Sequence, residues 1–203
     1  MKIVCIGRNY GAHAVELGNE IPEEPVIFLK PASALVRPGG PIRLPAFSND
    51  VHHEVELVYT IIRKGGLAIP DRVTLGLDLT ARDLQQQLKA KGLPWEKAKA
   101  FDGSAYVAGT LAEVVSLPEG KHIDFSLERN GVRVQHGHSG QMIFDVHTLI
   151  EHVERYMKLE TGDLLFTGTP AGVGKLNPGD TLKGYLLGEQ LFELKVEGAP
   201  SAA

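Results

Sequence analysis

Two glutamates one residue apart, in His52-His53-Glu54-Val55-Glu56, are the first side chains here whose type and spacing suggest chemistry. Residues two apart on a strand share a face, which sets Glu54 and Glu56 side by side about 7 Å apart at the Cα level. Adjacent carboxylates repel unless a cation lies between them or one holds a proton. The plain alternative is the solvated face of an edge strand. Asp78, in Leu75-Gly76-Leu77-Asp78-Leu79-Thr80, adds a third carboxylate where an apolar strand hands over to a helix. A carboxylate inside an apolar run needs a partner, because burying an unpaired charge is expensive. Together the three would form an oxygen-only, anionic site that favours Mg²⁺, Mn²⁺ or Ca²⁺ over Zn²⁺. Their spacing alone does not bring Asp78 to the pair.

His13 and Glu16 stand at i and i+3 and share a face if that segment is helical. Taken alone they read as an ordinary surface pair, as Lys97 and Lys99 near Trp95 read as surface charge. Thr169 sits in a Gly-Thr-Pro turn, where backbone N–H groups and a hydroxyl can bind a carboxylate. Arg8 and Lys30 are candidates to assist anion binding, with surface ion pairing as the alternative. His52 and His53 point to opposite strand faces, so at most one faces a metal, as a supporting contact rather than a ligand.

The elements that must position these residues read as follows. Short strands are expected at Lys2–Ile6, Val26–Leu29 and around Ile42, with one or two helical turns over Asn9–Leu17 ended by Gly18. Val51–Ile62 is the most strand-like stretch, with Val55, Leu57, Tyr59 and Ile61 on one face. Thr74–Leu79 is a further apolar strand. Thr80 is expected to cap a helix running to about Ala90, stopped by Gly92 and Pro94. Asn130-Gly131 predicts a type I′ hairpin between Phe125–Glu128 and Val132–Gln135. Asp145–Met157 carries a helical apolar stripe. Strands at Asp163–Thr167, Thr181–Leu187 and Leu191–Val196 close the chain. The class is therefore α+β and strand-rich, in one domain over residues 1–203, with a frayed tail from Gly198.

Composition narrows the function. A chain of 203 residues with 43% hydrophobic and 23% charged residues has enough apolar surface for one core. A net charge of −4 with no basic run argues against nucleic acid and membrane surfaces. The lone Cys5, in an apolar run, reads as a buried small hydrophobe in a reducing compartment. No signal-peptide core and no 18-residue apolar run is present, so the expected address is cytoplasmic.

Six segments in order resemble one known family. They are Gly7-Arg8-Asn9-Tyr10 with His13 and Glu16; Pro25 to Pro31; His52 to Glu56; Leu77 to Asp83; Lys91 to Lys99; and Thr167 to Gly174. Together they resemble the fumarylacetoacetate hydrolase family, especially its short acylpyruvase-type members, over almost the whole chain. The resemblance implies a mixed β-roll or sandwich, usually homodimeric, that binds Mg²⁺ or Mn²⁺ through Glu54, Glu56 and Asp78. It implies an N-terminal lid, the mobile segment 1–25, that carries His13 as base with Glu16 orienting it. It also implies Lys99 as the site lysine and Gln85 as a ligand for substrate oxygen.

The implied substrates are small 2-oxo and 2,4-dioxo acids. A metal at the keto oxygen would stabilise a pyruvate enolate as a Lewis acid. Hydrolysis of the C–C bond of acylpyruvates such as fumarylpyruvate or acetylpyruvate is the expected reaction. Isomerisation or tautomerisation (as in 2-hydroxyhepta-2,4-diene-1,7-dioate isomerases) and oxaloacetate decarboxylation are the alternatives, since all pass through related enolates. For Lys99, electrostatic stabilisation is expected over Schiff-base formation.

Overall fold

The strict alternation of β5 (Val55–Lys64) sets Val55, Leu57, Tyr59 and Ile61 in the main core and turns Val58 into a second cluster. In that second cluster Val58 meets Ile3, Cys5, Leu164 and Phe166. Both faces of this strand are thus buried, which explains why no solvated edge forms around Glu56. The structure, a computed structural model, describes residues 1–18, 20–36, 39–109, 112–113 and 121–199.

Around β5 lies a seven-stranded mixed sheet. Its order is β2 (Val26–Lys30), β1 (Ile3–Gly7), β12 (Leu164–Phe166), β5, β6 (Leu67–Asp78) and β8 (Ala105–Val107), with β9 (Ala112–Glu113) also on β6. β1 runs parallel to β12 and the other pairs are antiparallel. A five-stranded sheet follows the order β11 (Val132–His138), β10 (Asp124–Arg129), β14 (Thr181–Leu186), β15 (Glu189–Glu197) and β3 (Ile42–Arg43). A small third sheet pairs β13 (Gly174–Lys175), β4 (Val51–His53) and β7 (Thr80–Ala81). This is the strand-rich α+β architecture expected.

The expected hairpin forms between β10 and β11, with Asn130 at φ 55° and Gly131 at φ 78°, the left-handed pair a type I′ turn needs. Helix α4 (Val146–Glu154) buries Leu149, Ile150 and Val153, and Asp145 caps it by accepting from Thr148 N at 2.8 Å. Helix α1 (Gly11–Glu16) stops before Gly18 at φ 65°.

Four details depart from the sequence reading. The expected strand Val51–Ile62 is interrupted at Glu54, where the chain passes from the small sheet into the large one. Helix α2 (Arg82–Ala90) is not capped by Thr80, because Thr80 belongs to β7 and its hydroxyl is taken up inside the site. Asp83 instead accepts from Leu84 N, Asn49 N and Ser48 Oγ. A short helix, α3 (Glu96–Lys99), follows the Gly92-Leu93-Pro94 stop. Of the expected lid, residues 3–7 form β1 between β2 and β12, so only the chain after β1 is available to lie over a site. The tail's last four positions, 200–203, lie outside the described residues. Among the described residues no helix is long and apolar enough to cross a membrane.

Candidate metal centre

Strand register brings the three carboxylates together. Glu56 stands opposite Gly76 in the β5–β6 ladder, and Asp78 N donates to Glu54 O at 2.9 Å where the ladder ends. A Cβ on Gly76 would come within 2.6 Å of Val58 Cγ2 and 2.7 Å of Phe166 Cε1 and Tyr106 O. Only glycine lets the strands close this tightly. One oxygen from each of Glu54, Glu56 and Asp78 then lies within 4.8 Å of the others, and all three residues are buried.

The three are compensated unequally. Glu54 receives Lys99 Nζ at 2.9 Å and an Arg82 guanidinium N–H. Burial alone would push its carboxyl up, but Lys99 and Arg82 outweigh burial and hold it well below the usual range. Asp78 receives Lys99 Nζ at 2.7 Å through Oδ2 and has Lys30 Nζ 2.8 Å from Oδ1, although Oδ1 accepts no aligned hydrogen bond. Glu56 has only the Gly168 N–H, at 2.7 Å, and no cation in direct contact among the described residues. Burial first, and then Asp78 and Glu54, push its carboxyl well above the usual range. Three hard oxygen ligands, one of them under-compensated, fit a divalent cation with oxygen preference.

Lys99 projects from α3 into this cluster and also donates to Thr80 Oγ1 at 2.6 Å. Burial would lower its ammonium, yet Asp78 and Glu54 prevail and hold it above the ordinary lysine value, so it stays a cation. Lys30 does not line the cavity. It lies behind Asp78, with its ammonium held by Ser104 O (3.0 Å), Ser104 Oγ (3.1 Å) and Lys99 O. Its position supports Asp78 rather than a substrate anion, unlike the expectation for it.

His13 and Glu16 do meet: Nδ1 lies 3.1 Å from Glu16 Oε2. Glu16 Oε1 also accepts from Gly172 N at 2.9 Å, which ties α1 to the turn after β12. A side chain at Gly172 would run into Val134 O, and its φ of 98° suits glycine. Thr169 lines the cavity, but its hydroxyl donates to Val55 O and accepts from Gln135 Nε2, both at 2.8 Å. Gln85 is buried on α2 and accepts from Arg82 at 2.7 Å. Arg8 lines the cavity at φ 59°, an uncommon conformation for a residue with a Cβ.

Neither His52 nor His53 lines the cavity. His53 is buried and donates from Nδ1 to Gln135 Oε1 at 3.0 Å, and burial lowers its pKa to about 4. Sequence reasoning passed over Arg82, Lys89 and Gln135. Arg82 and Lys89 share a helix face with Gln85 at i, i+3 and i+7, a period that could have been read. Gln135 sits in an alternating strand with nothing to mark it.

Comparison with known proteins agrees with this geometry. The Fumarylacetoacetate (FAA) hydrolase C-terminal family model matches residues 2–196. The mitochondrial oxaloacetate decarboxylase of Dictyostelium discoideum is 44% identical over 190 residues, covering 90% of this chain and 87% of that protein. The mitochondrial oxaloacetate tautomerase of Caenorhabditis elegans is 41% identical over 189 residues, with coverage of 90% and 88%. The crystal structure of fumarylpyruvate hydrolase from Pseudomonas aeruginosa, in complex with Mn²⁺ and pyruvate, superposes with a TM-score of 0.86 at 36% identity, covering 98% of this chain and 89% of that one. With the family match spanning nearly every residue and the acidic cluster formed as the resemblance implied, the chain belongs to the fumarylacetoacetate hydrolase family.

Proposed function

We propose that this protein is a divalent-metal-dependent enzyme for oxaloacetate, interconverting its keto and enol forms. The observation that carries this reading is the meeting, in one cavity, of the Glu54–Glu56–Asp78 cluster, the Lys99 cation and the His13 imidazole. Relatives named as oxaloacetate tautomerases and an oxaloacetate decarboxylase support the substrate.

The metal, Mg²⁺ or Mn²⁺, would be held by Glu54, Glu56 and Asp78 and would supply Lewis acidity at the keto oxygen. The chain's own residues do the rest. Glu16 accepts the Nδ1 proton of His13 and fixes the tautomer, which leaves Nε2 free as a base. His13 Nε2 takes a proton from the carbon next to the keto group, and negative charge moves to the keto oxygen. The enol forms when that oxygen takes a proton from solvent and His13 gives its own back to solvent. Ketonisation runs the same steps in reverse. Lys99 keeps its charge throughout and stabilises that oxygen electrostatically. Gln85, held in place by Arg82, donates its amide to a substrate oxygen. The segment bearing α1 acts as a lid, anchored through Glu16 to Gly172.

The test is proton exchange at the methylene of oxaloacetate, followed by enol absorbance in Mg²⁺-loaded protein. His13→Ala should lower the rate about a hundredfold, the size of one general base. An unchanged rate would remove His13 from the mechanism.

Acylpyruvate hydrolysis is the second reading. The same His13–Glu16 pair favours it, since a base at Nε2 can equally activate water. The fumarylpyruvate hydrolase of similar structure supports it too. Formation of pyruvate plus a carboxylic acid from fumarylpyruvate would choose it.

A further inference from the structure

The cations on the cavity wall outnumber what the three carboxylates use. Arg82 is spent on Glu54 and Gln85, and Lys99 on Glu54, Asp78 and Thr80. Two cations are left over. Lys89 and Arg8 both line the cavity, and among the described residues neither pairs with an acid. Arg8 Nε is buried without a hydrogen-bond partner, and the residue holds a left-handed backbone to stand there. Unusual φ of this kind persists only where the surroundings impose it.

Lys89 lies on the face of α2 that carries Arg82 and Gln85. At 1.5 Å of rise per residue its Cα stands about 10 Å further along the helix than that of Arg82. Its ammonium sits 4.9 Å from the ring centre of Trp95, which also lines the cavity. Burial, followed by Arg8, Arg82 and Lys99, lowers its pKa to about 8. Surplus positive charge therefore gathers on the cavity wall, with no acid in direct contact with either cation among the described residues.

We propose that Lys89 and Arg8 bind a second acidic group of the substrate, so that the site selects dicarboxylic 2-oxo acids over their monocarboxylic counterparts. This rests on the reading of the cavity as a 2-oxo acid site and adds to it the determinant of chain-end charge. The 2-oxo acid end faces the acidic cluster and the far carboxylate faces Lys89 and Arg8. An anion arriving there neutralises two cations that repel each other, and it is met by donors already partly buried.

The probes are pyruvate and oxaloacetate, which differ by one carboxylate. Trp95 is the only tryptophan of the chain, so its emission reports an anion that draws Lys89 away from the indole. In Mg²⁺-loaded wild type, oxaloacetate should shift that emission and bind about tenfold or more tighter than pyruvate. Lys89→Met keeps the aliphatic stem on Trp95, and it should erase the preference while pyruvate affinity stays within about twofold. Lys89→Arg should restore it. Equal weakening of both ligands, no weakening of either, or a wild type without preference overturns the proposal. A preference without any turnover of oxaloacetate would sink the proposed reaction and leave this inference standing. Full turnover of oxaloacetate by Lys89→Met with unchanged KM would do the reverse.

Discussion

Glu56 bears the electrostatic cost of the site. Its folded pKa is raised, so without metal the folded protein keeps a proton that the unfolded chain releases above about pH 4.5. The folded state then binds more protons, and this carboxyl costs stability as pH rises from that point. Two outcomes follow. Divalent ion binding at a pH below the raised Glu56 pKa should release a proton, measurable by titration calorimetry in two buffers of different ionisation enthalpy, and affinity should increase with pH. Glu56→Gln should lose tight metal binding. Its metal-free form should be more stable at pH 8 by about 1–2 kcal/mol, or roughly 2–4 °C per kcal/mol in thermal melts. Glu54 and Glu56 were legible as a pair from residue type and strand parity, whereas Asp78 joined them only through the family resemblance, since no spacing brings a residue on β6 to them. Lys30 was misplaced because nothing in a strand ending Leu-Lys-Pro signals that its ammonium turns inward to Asp78.

Between the elements, Gln135 acts as a clamp that no periodicity announces. From β11 its Oε1 accepts from Val55 N (3.1 Å) and His53 Nδ1 (3.0 Å), while Nε2 reaches Thr169 Oγ1 (2.8 Å) and Pro170 O (2.9 Å). One buried amide thus joins β4, β5 and the turn after β12. Gln135→Leu strands these four groups and should cost about 2–4 kcal/mol in urea unfolding. His53 depends on the same clamp and stays neutral in the folded state. Its pKa falls from the ordinary 6.5 to about 4, so its stabilising effect is complete above pH 6.5 and is lost as pH falls toward 4. Because Glu56 acts in the opposite sense, the informative quantity is the difference between wild type and His53→Gln. That difference should shrink by up to about 3 kcal/mol across the window. Most strands could be read from alternation and turn residues. The Thr80 cap could not, because a Thr before Ala-Arg-Asp looks like a cap whether or not an ammonium elsewhere in the fold claims its hydroxyl.

At the scale of the molecule, the acidic cluster draws on both the large sheet and the boundary it shares with the small one. A ligand that binds only the folded state stabilises it by mass action, about 2.7 kcal/mol at a free concentration one hundred times Kd. Mg²⁺ or Mn²⁺ should therefore raise the melting temperature in proportion to the logarithm of concentration, and chelation should reverse this. Glu54→Gln should flatten the response. The overall class was readable because many short strands with frequent glycine and proline exclude a helix bundle. The division into three sheets was not, since Val51–Ile62 alternates without a visible seam.

That seam has a mechanical meaning. Glu54 is the one residue between β4 and β5, so the peptide that leaves one sheet and enters another carries a carboxylate of the cluster. A cation held there would work like a rivet through overlapping plates: slippage at the joint would require breaking its bonds. Deuterium uptake should consequently slow on metal addition in the short strands Val51–His53 and Thr80–Ala81, more than in the hairpin at Asn130-Gly131 of the five-stranded sheet.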